Sequence, residues 1–101
     1  MRRQVRNDAV AQTVMDIFTI RDADRQLDVF DRAIVPRARQ SIVRARAAYE
    51  VGRLSLLELL DGQRSLIAIE RLVANLRVMR EKSVADLEAI TARGLEGSFR
   101  T

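Results

Sequence analysis

The sequence predicts an all-α protein built as one long antiparallel helical hairpin of the coiled-coil type. Aromatic residues make up only 4% of the 101 residues, and there is a single proline. Only two glycines interrupt the chain between Asp8 and Arg93, which is rich in strong helix formers such as Ala, Leu, Arg and Glu. Apolar residues recur at steps of three and four, the spacing of one helix face. A chain of this length forms one domain at most.

The first helix is predicted from about residue 8 to residue 51, with two apolar stripes. The second stripe repeats every seven residues, from Val35 to Tyr49. Seven residues before Val35 stands the charged Asp28, so this stripe covers only the half of the helix nearer the turn. Two stripes predict a helix with more than one neighbour, as in a bundle or a barrel of coiled coils. Pro36 lacks an N–H and predicts a kink or short break near residues 34–36. The first stripe is Val10, Val14, Ile17, Ile20, Leu27, Phe30, Ile34, Ser41, Ala45 and Ala48, and the second is Val35, Ile42 and Tyr49.

A tight turn is predicted over residues 52–55. Gly52 follows Val51 where a helix C-terminus favours a residue that tolerates positive φ. Ser55, with Glu58 three residues later, has the pattern of a capping box that opens a new helix. Because the stop and start signals lie three residues apart, the two helices are expected to fold back on each other.

The second helix is predicted from about residue 56 to residue 92 on the basis of a heptad series. Gly62, Arg80 and Ser83 interrupt that series. Gly94 is the predicted stop, so residues 1–93 would form the hairpin and residues 94–101 a disordered tail. Apolar residues off the series indicate additional helices from other chains or from other parts of a longer protein. The series is Leu59, Leu66, Ile69, Val73, Leu76, Leu87 and Ile90, and the residues off it are Leu56, Leu57, Leu60, Ile67 and Val78.

Composition argues against an enzyme. The chain has no cysteine and no histidine, which excludes disulfides, thiol nucleophiles, Ser-His-Asp triads and the usual zinc sites. Glu58 and Asp61, three residues apart near a helix start, form an acidic pair that could serve acid–base chemistry, but no pocket, glycine-rich loop or histidine accompanies them. Carboxylates are favourable near the positive end of a helix dipole, and the capping box accounts for Glu58, whereas Asp61 is less well explained. We therefore expect no catalytic residue, no cofactor and no metal. No run of about 18 apolar residues occurs and no signal-peptide core follows the first residues, so we expect neither a membrane span nor an export signal in this chain.

The charge pattern leaves one alternative class open. The net charge is +4, and 17 of the 18 basic residues are Arg, which would suit a small cytoplasmic protein that binds nucleic acid. The 14 acidic residues are divided equally between residues 1–50 and 51–101. Such interleaved signs are more typical of a solvated helix face than of a nucleic-acid interface, so we expect no nucleic-acid partner.

The segment AYEVGRLSLLELLDGQRSL, residues 48–66, resembles a signature of the outer-membrane efflux protein family, which includes TolC and the heavy-metal efflux channels. The family pattern is a Tyr, two residues, a Gly, then Ser or Thr and a Leu-Leu-Asp-Ala-Gln run. Upstream, IVPRA at residues 34–38 is similar to the family's Leu-Pro-Gln-Ala segment. Downstream, VADLEAIT at residues 84–91 is similar to its closing Ala-Asp-Leu-Glu-Arg-Ala stretch. The resemblance covers about residues 30–92.

The resemblance implies the C-terminal periplasmic hairpin of a homotrimeric channel in the cell outer membrane. That channel has a membrane β-barrel and a long periplasmic tunnel of helices, an α-barrel, to which this hairpin would contribute. Its partners would be a periplasmic adaptor protein and an inner-membrane pump. With no barrel strands and no first repeat, the chain alone is not expected to form a pore, and it would contact the membrane only through a barrel it lacks.

Particular residues match the family's working positions. Val51, Gly52 and Arg53, with Leu54 and Ser55 beside them, match the tip that meets the adaptor. A second group matches positions that close the entrance or line it with acids, namely Tyr49, Glu58 and Asp61.

Three positions depart from the family pattern. Gly62 stands where Ala is usual, and Arg37 where Gln is common. Leu54 falls where TolC carries a basic residue, so Arg53 is the candidate to form a lock with Tyr49.

The coiled-coil hairpin of the adaptor itself is the first alternative. That protein also uses Arg, Leu and Ser near its tip, as residues 53–55 do here. The Tyr-x-x-Gly and Leu-Leu-Asp-x-Gln patterns favour the channel, whereas lipoyl-like strands flanking the hairpin in a parent gene would favour the adaptor.

Overall fold

The computed structural model describes residues 2–99, with side chains described as far as residue 94. Helix α1 spans Arg2–Val29, a π-helical segment spans Phe30–Ile34, α2 spans Val35–Glu50 and α3 spans Leu56–Phe99. No strand occurs within residues 2–99. The all-α helical hairpin predicted from the sequence is confirmed.

The chain divides into two compact units, and the first contains the turn. It comprises Gln26–Leu76. In this unit α2 and α3 run antiparallel, because Arg39 of α2 approaches Glu70 of α3 at 4.0 Å while residues 51–55 join the neighbouring ends of the same helices. Leu59 and Val73 are its buried apolar side chains, at the inner face of α3.

The second unit pairs the residues up to Arg25 with those from Arg77 onward. Its cross-helix link joins Arg80 of α3 to Asp24 of α1, with Nε donating to Oδ1 at 2.5 Å. The Asp24 carboxylate raises the pKa of Arg80 through this hydrogen bond and through its charge. Ala23, Asp16 and Ser83 are buried here, so the most buried side chains described in this unit are small or polar, whereas those of the first unit are large and apolar.

One heptad pattern organises α3 along its described side chains. Positions at alternating steps of three and four are buried or half-buried, including the three residues expected to interrupt the series. Gly62, Arg80 and Ser83 thus occupy core positions in the same phase instead of breaking it. The predicted second-helix stripe is confirmed. The complete set is Leu59, Gly62, Leu66, Ile69, Val73, Leu76, Arg80, Ser83, Leu87 and Ile90.

The break predicted near Pro36 is a π-helical turn just upstream of that proline. The N–H of Val35 donates to the carbonyl of Phe30, five residues back instead of four. Pro36 lies in the first turn of α2, where a missing N–H costs least. A wider turn before it relieves the clash between the proline ring and the carbonyl four residues earlier, and it adds one residue to the helix.

This added residue changes how the first-helix stripes are understood. Upstream of the π segment the inner face follows Ile20, Ala23, Leu27 and Phe30; downstream it follows Ala38, Ile42 and Ala45, which is one residue later than an unbroken heptad. The two stripes predicted along this helix are therefore largely one stripe whose phase shifts by one residue. The charged residue at position 28 faces solvent because the phase changes between it and Val35.

Part of the predicted first stripe is wrong. Val10, Val14 and Ile17 are exposed, and the residues immediately before each of them, Ala9, Thr13 and Asp16, face α3. Ser41 is likewise exposed, and Ile42 takes the inner position. Leu27 and Phe30, which have large apolar side chains, lie at inner positions, and Ala9, Thr13 and Asp16 continue their heptad phase toward the start of α1.

The predicted element boundaries differ from the structure at both ends. Helix α1 begins at Arg2 instead of near residue 8, and α3 continues through Gly94 to Phe99. A helical glycine with open space around it costs only about 1 kcal/mol relative to Ala, which does not stop a long helix. The predicted disordered tail, residues 94–101, is thus helical as far as Phe99, and its last two residues lie outside the described part of the chain.

Candidate functional site: the hairpin tip

The turn at the tip is built on Gly52. Its φ is +76°, a left-handed conformation that an L side chain adopts at a cost. Its N–H donates to the carbonyl of Tyr49 at 3.0 Å, and the N–H of Arg53 donates to the carbonyl of Ala48 at 2.8 Å. This pair of bonds is the Schellman motif, which satisfies the last carbonyls of α2 and reverses the chain.

Ser55 starts α3 in the manner predicted. Its Oγ accepts a hydrogen bond from the N–H of Glu58 at 3.1 Å, and its carbonyl accepts the first helical bond from Leu59 at 3.1 Å. One half of the predicted capping box is therefore present: the serine caps the N–H groups of the first turn. The Glu58 carboxylate lies at the positive end of the α3 dipole.

Close packing of α2 and α3 fixes the direction of the tip. A Cβ placed on Gly62 would lie 3.1 Å from the Cδ1 of Ile42, closer than most carbon contacts of this kind. Leu59, one turn nearer the tip, is buried, and Leu54 in the turn is half-buried. These three α3 and turn positions hold the two helices together directly behind the loop, so the loop residues project from a packed base.

The residues predicted to meet an adaptor are presented to solvent. Val51 is 69% exposed, and Gly52, Arg53 and Ser55 are exposed as well, whereas Leu54 turns partly inward. The tip therefore offers a short surface of one apolar side chain, one glycine backbone and one guanidinium. The sequence predicted residues 52–55 as the turn and Val51 as the end of the first helix, whereas α2 ends at Glu50 and Val51 belongs to the turn. It did not distinguish Leu54 from its neighbours.

The entrance residues predicted by resemblance lie just behind this surface. Tyr49 is the penultimate residue of α2, is 41% exposed, and is separated from Arg53 by the Schellman turn. Among the described contacts, none joins the phenol to the guanidinium within this chain.

Glu58 and Asp61 lie one turn apart on the outside of α3. Both are exposed, and the carbonyl of Asp61 accepts a hydrogen bond from the Ser65 hydroxyl at 3.1 Å. No ion pair engages either carboxylate within the described part of the chain. Two solvated carboxylates close to the loop give this side of the tip a negative charge, while Arg53 gives its end a positive one.

A groove on the neighbouring helix was not anticipated from the sequence. It runs along one side of α2, from the edge of the inner face at Ile42 to Glu50, and carries both charged and apolar side chains. The exposed valine at position 43 was the available signal, because it lies off the stripe that packs against α3. The groove is lined by Ile42, Val43, Arg46, Ala47 and Glu50.

Comparison with protein-family models, with curated proteins and with solved structures finds no match to this chain. No helix in residues 2–99 combines the length and the apolar character that crossing a membrane requires.

Proposed function

We propose that this chain is a periplasmic entrance segment of a trimeric outer-membrane efflux channel, with its tip docking on a periplasmic adaptor. Substrates pass through such a channel without chemical change, and an inner-membrane pump supplies the energy. The observation that carries the proposal is the tip. A Schellman turn on Gly52 and a serine cap at Ser55 present Val51 and Arg53 on a rigid helical base.

The unpaired apolar side chains of α3 support an assembly of several helices. Leu56 and Leu57 are 52% and 73% exposed in the single hairpin, and Leu60, Ile67 and Val78 are also exposed. These residues lie outside the heptad face that contacts the first helix. Apolar side chains on flanking heptad positions are what a helix with neighbours on two sides requires. In a closed ring of hairpins they would be covered by the next copy.

The charges at the tip suit a cation-favouring entrance. Three copies of Glu58 and Asp61 around a narrow opening would concentrate negative potential there. The absence of an intrachain partner for either carboxylate in the described contacts leaves their charge available to the opening. In the proposed closed channel, Arg53 meets Tyr49 of a neighbouring copy.

A chimera tests this proposal in cells. Residues 30–92, the span of the resemblance, replace the corresponding hairpin of a TolC-type channel in a strain that lacks its own channel. We expect the chimera to restore resistance to an exported drug, and Gly52→Pro, which removes the Gly52 N–H bond to Tyr49, to abolish it. Arg64→Ala is the control variant, because Arg64 lies within the graft on the exposed side of α3. A chimera with this substitution should export the drug normally. A folded, surface-expressed chimera that restores no resistance would refute the proposal.

The adaptor hairpin remains the competing assignment, because Arg53, Leu54 and Ser55 also suit an adaptor tip. The two assignments predict opposite partners for the purified chain. A channel segment binds an adaptor hairpin, whereas an adaptor hairpin binds a TolC-type channel.

A further inference from the structure

The first turns of α1 are packed on α3 through an unusual set of residues. Asp16 lies at an inner position and is only 3% exposed. Its Oδ1 accepts a hydrogen bond from the Gln12 side chain at 3.1 Å, but its Oδ2 is buried with no hydrogen-bond partner. A buried carboxylate oxygen without a donor is strongly unfavourable, and native proteins seldom retain one without a reason.

Apolar side chains suited to this interface lie one residue further along α1. Val10, Val14 and Ile17 are 58%, 46% and 38% exposed, while Ala9 and Thr13 occupy inner positions beside Asp16. Each exposed residue directly follows an inner one. A rotation of this part of α1 by one residue, about 100° for an α-helix, would exchange the two sets. That exchange would bury three β-branched apolar side chains and return the Asp16 carboxylate to water.

The phase of the sequence explains how two such positions arise. Continuing the inner heptad of α2 upstream without the π segment reaches positions 10, 14 and 17. The larger central residues, Leu27 and Phe30, follow a phase one residue earlier and are inner in the structure. Val10, Val14 and Ile17 therefore follow the same heptad as the inner residues of α2. In the structure, however, the inner positions at the start of α1 follow the heptad of Leu27 and Phe30.

We propose that α1 upstream of Phe18 has a second position on α3, rotated by one residue, in which Val10, Val14 and Ile17 replace Ala9, Thr13 and Asp16. The extra twist is taken up between Ile17 and Ala23. Since a 3₁₀-helix turns about 20° more per residue than an α-helix, on the order of five tightened residues supply the rotation. The π segment makes the opposite correction downstream. Asp16 is the residue that opposes the observed position, and its exposure drives the change.

Chemical labelling of a single thiol distinguishes one position from two. The chain has no native cysteine, and Val14→Cys places a small reporter on the face that the rotation buries. Asp16→Leu removes the unpartnered carboxylate and favours the observed position, so we expect the thiol to react about threefold faster or more with a hydrophilic maleimide. Thr13→Asp adds a second inner carboxylate and should slow the same reaction by a similar factor.

Controls separate this exchange from unfolding and from association. A thiol from Arg25→Cys, on an exposed position beyond the rotating segment, should label at one rate in all backgrounds. Helicity is checked by circular dichroism for every variant. Labelling at position 14 that ignores the residue at position 16 would overturn the proposal. Protection that grows with protein concentration would also overturn it, since a second copy would then be covering the valines. Neither result depends on efflux function.

Discussion

The Cδ1 of Ile42 lies 3.1 Å from where a Cβ on Gly62 would be, so α2 and α3 approach each other through a glycine just behind the hairpin tip. The resemblance to efflux channels would place Ala at this position, and the glycine here accommodates the end of a longer side chain. Two opposing effects therefore meet at one site: Gly lowers helix stability, and Ala would crowd Ile42.

A double-mutant cycle separates these effects. Gly62→Ala alone should change the free energy of unfolding by less than about 1 kcal/mol, because helix propensity and crowding oppose each other. Ile42→Val removes the Cδ1 atom and should cost about 1 kcal/mol. In the Ile42→Val background, Gly62→Ala should stabilise by about 1 kcal/mol. Urea unfolding measures all four proteins, and an equal gain from Gly62→Ala in both backgrounds would show that the contact has no energetic consequence.

The Schellman turn requires glycine at position 52. Gly52→Ala forces a Cβ into a φ of +76° and should destabilise the hairpin by about 1–2 kcal/mol. Gly94→Ala is the matched control, because that helical glycine has no neighbour within 4 Å and Ala should stabilise there by up to about 1 kcal/mol. Thermal unfolding followed by circular dichroism should thus move in opposite directions for the two variants.

The N-cap of α3 has its own measurable contribution. Ser55→Ala removes the Oγ that accepts the Glu58 N–H, and should cost about 1 kcal/mol. Ser65→Ala removes a hydroxyl of the same type that bonds a helix carbonyl, and should have little effect or a slight gain. Equal losses at the two serines would argue that the cap does not define the start of α3.

Arg80 holds a core heptad position with its charge paired to Asp24 and Glu81. Because the Asp24 carboxylate raises the pKa of Arg80, any stabilisation from this charge is complete at every pH below the ordinary pKa of arginine and is lost only as pH rises through the higher pKa of the folded protein. The coupling in an Arg80→Met/Asp24→Asn cycle should therefore stay constant between about pH 6 and pH 10 and fall with added salt. Arg80→Leu should raise the melting temperature, since it extends the apolar face between Leu76 and Leu87. A lower melting temperature for Arg80→Leu would show that the charge is the more important feature.

The π segment is expected to behave as a one-residue insertion. In a Pro36→Ala background, deleting the exposed Arg32 leaves a continuous heptad on both sides, so the loss of stability should be small. Deleting the exposed Arg44 instead shifts the residues after it out of phase with α3 and should be much more costly. Similar losses from both deletions would contradict the insertion account.

Most of the fold follows from local sequence signals, because these signals agree with one another. The α3 heptad, the left-handed glycine at position 52 and the cap at Ser55 each act within a few residues, so sequence alone predicts them. The phase of α1 was not predictable in this way. The exposed set at Val10, Val14 and Ile17 has the same spacing as the inner set and is more apolar, so local periodicity favoured it, whereas in the structure the inner residues continue the phase of Leu27 and Phe30.

In the candidate site, too, local features could be predicted from the sequence and features that depend on packing between helices could not. The turn residues were located correctly from the capping pattern, but the inward turn of Leu54 and the groove on α2 depend on packing between helices. The roles of Tyr49, Glu58 and Asp61 rest on the resemblance, and all three lie within two helical turns of the tip.

Direct binding of the purified chain to an adaptor hairpin tests the central claim most directly. Sedimentation velocity with a fluorescent adaptor coiled-coil hairpin should show a complex with the wild-type chain, a weaker one with Arg53→Ala, and an unchanged one with Arg93→Ala at the distal end. Circular dichroism should confirm that all three proteins are equally helical. A helical chain that binds no adaptor hairpin, or binds it equally well without Arg53, would contradict the account of the tip as an adaptor-docking surface.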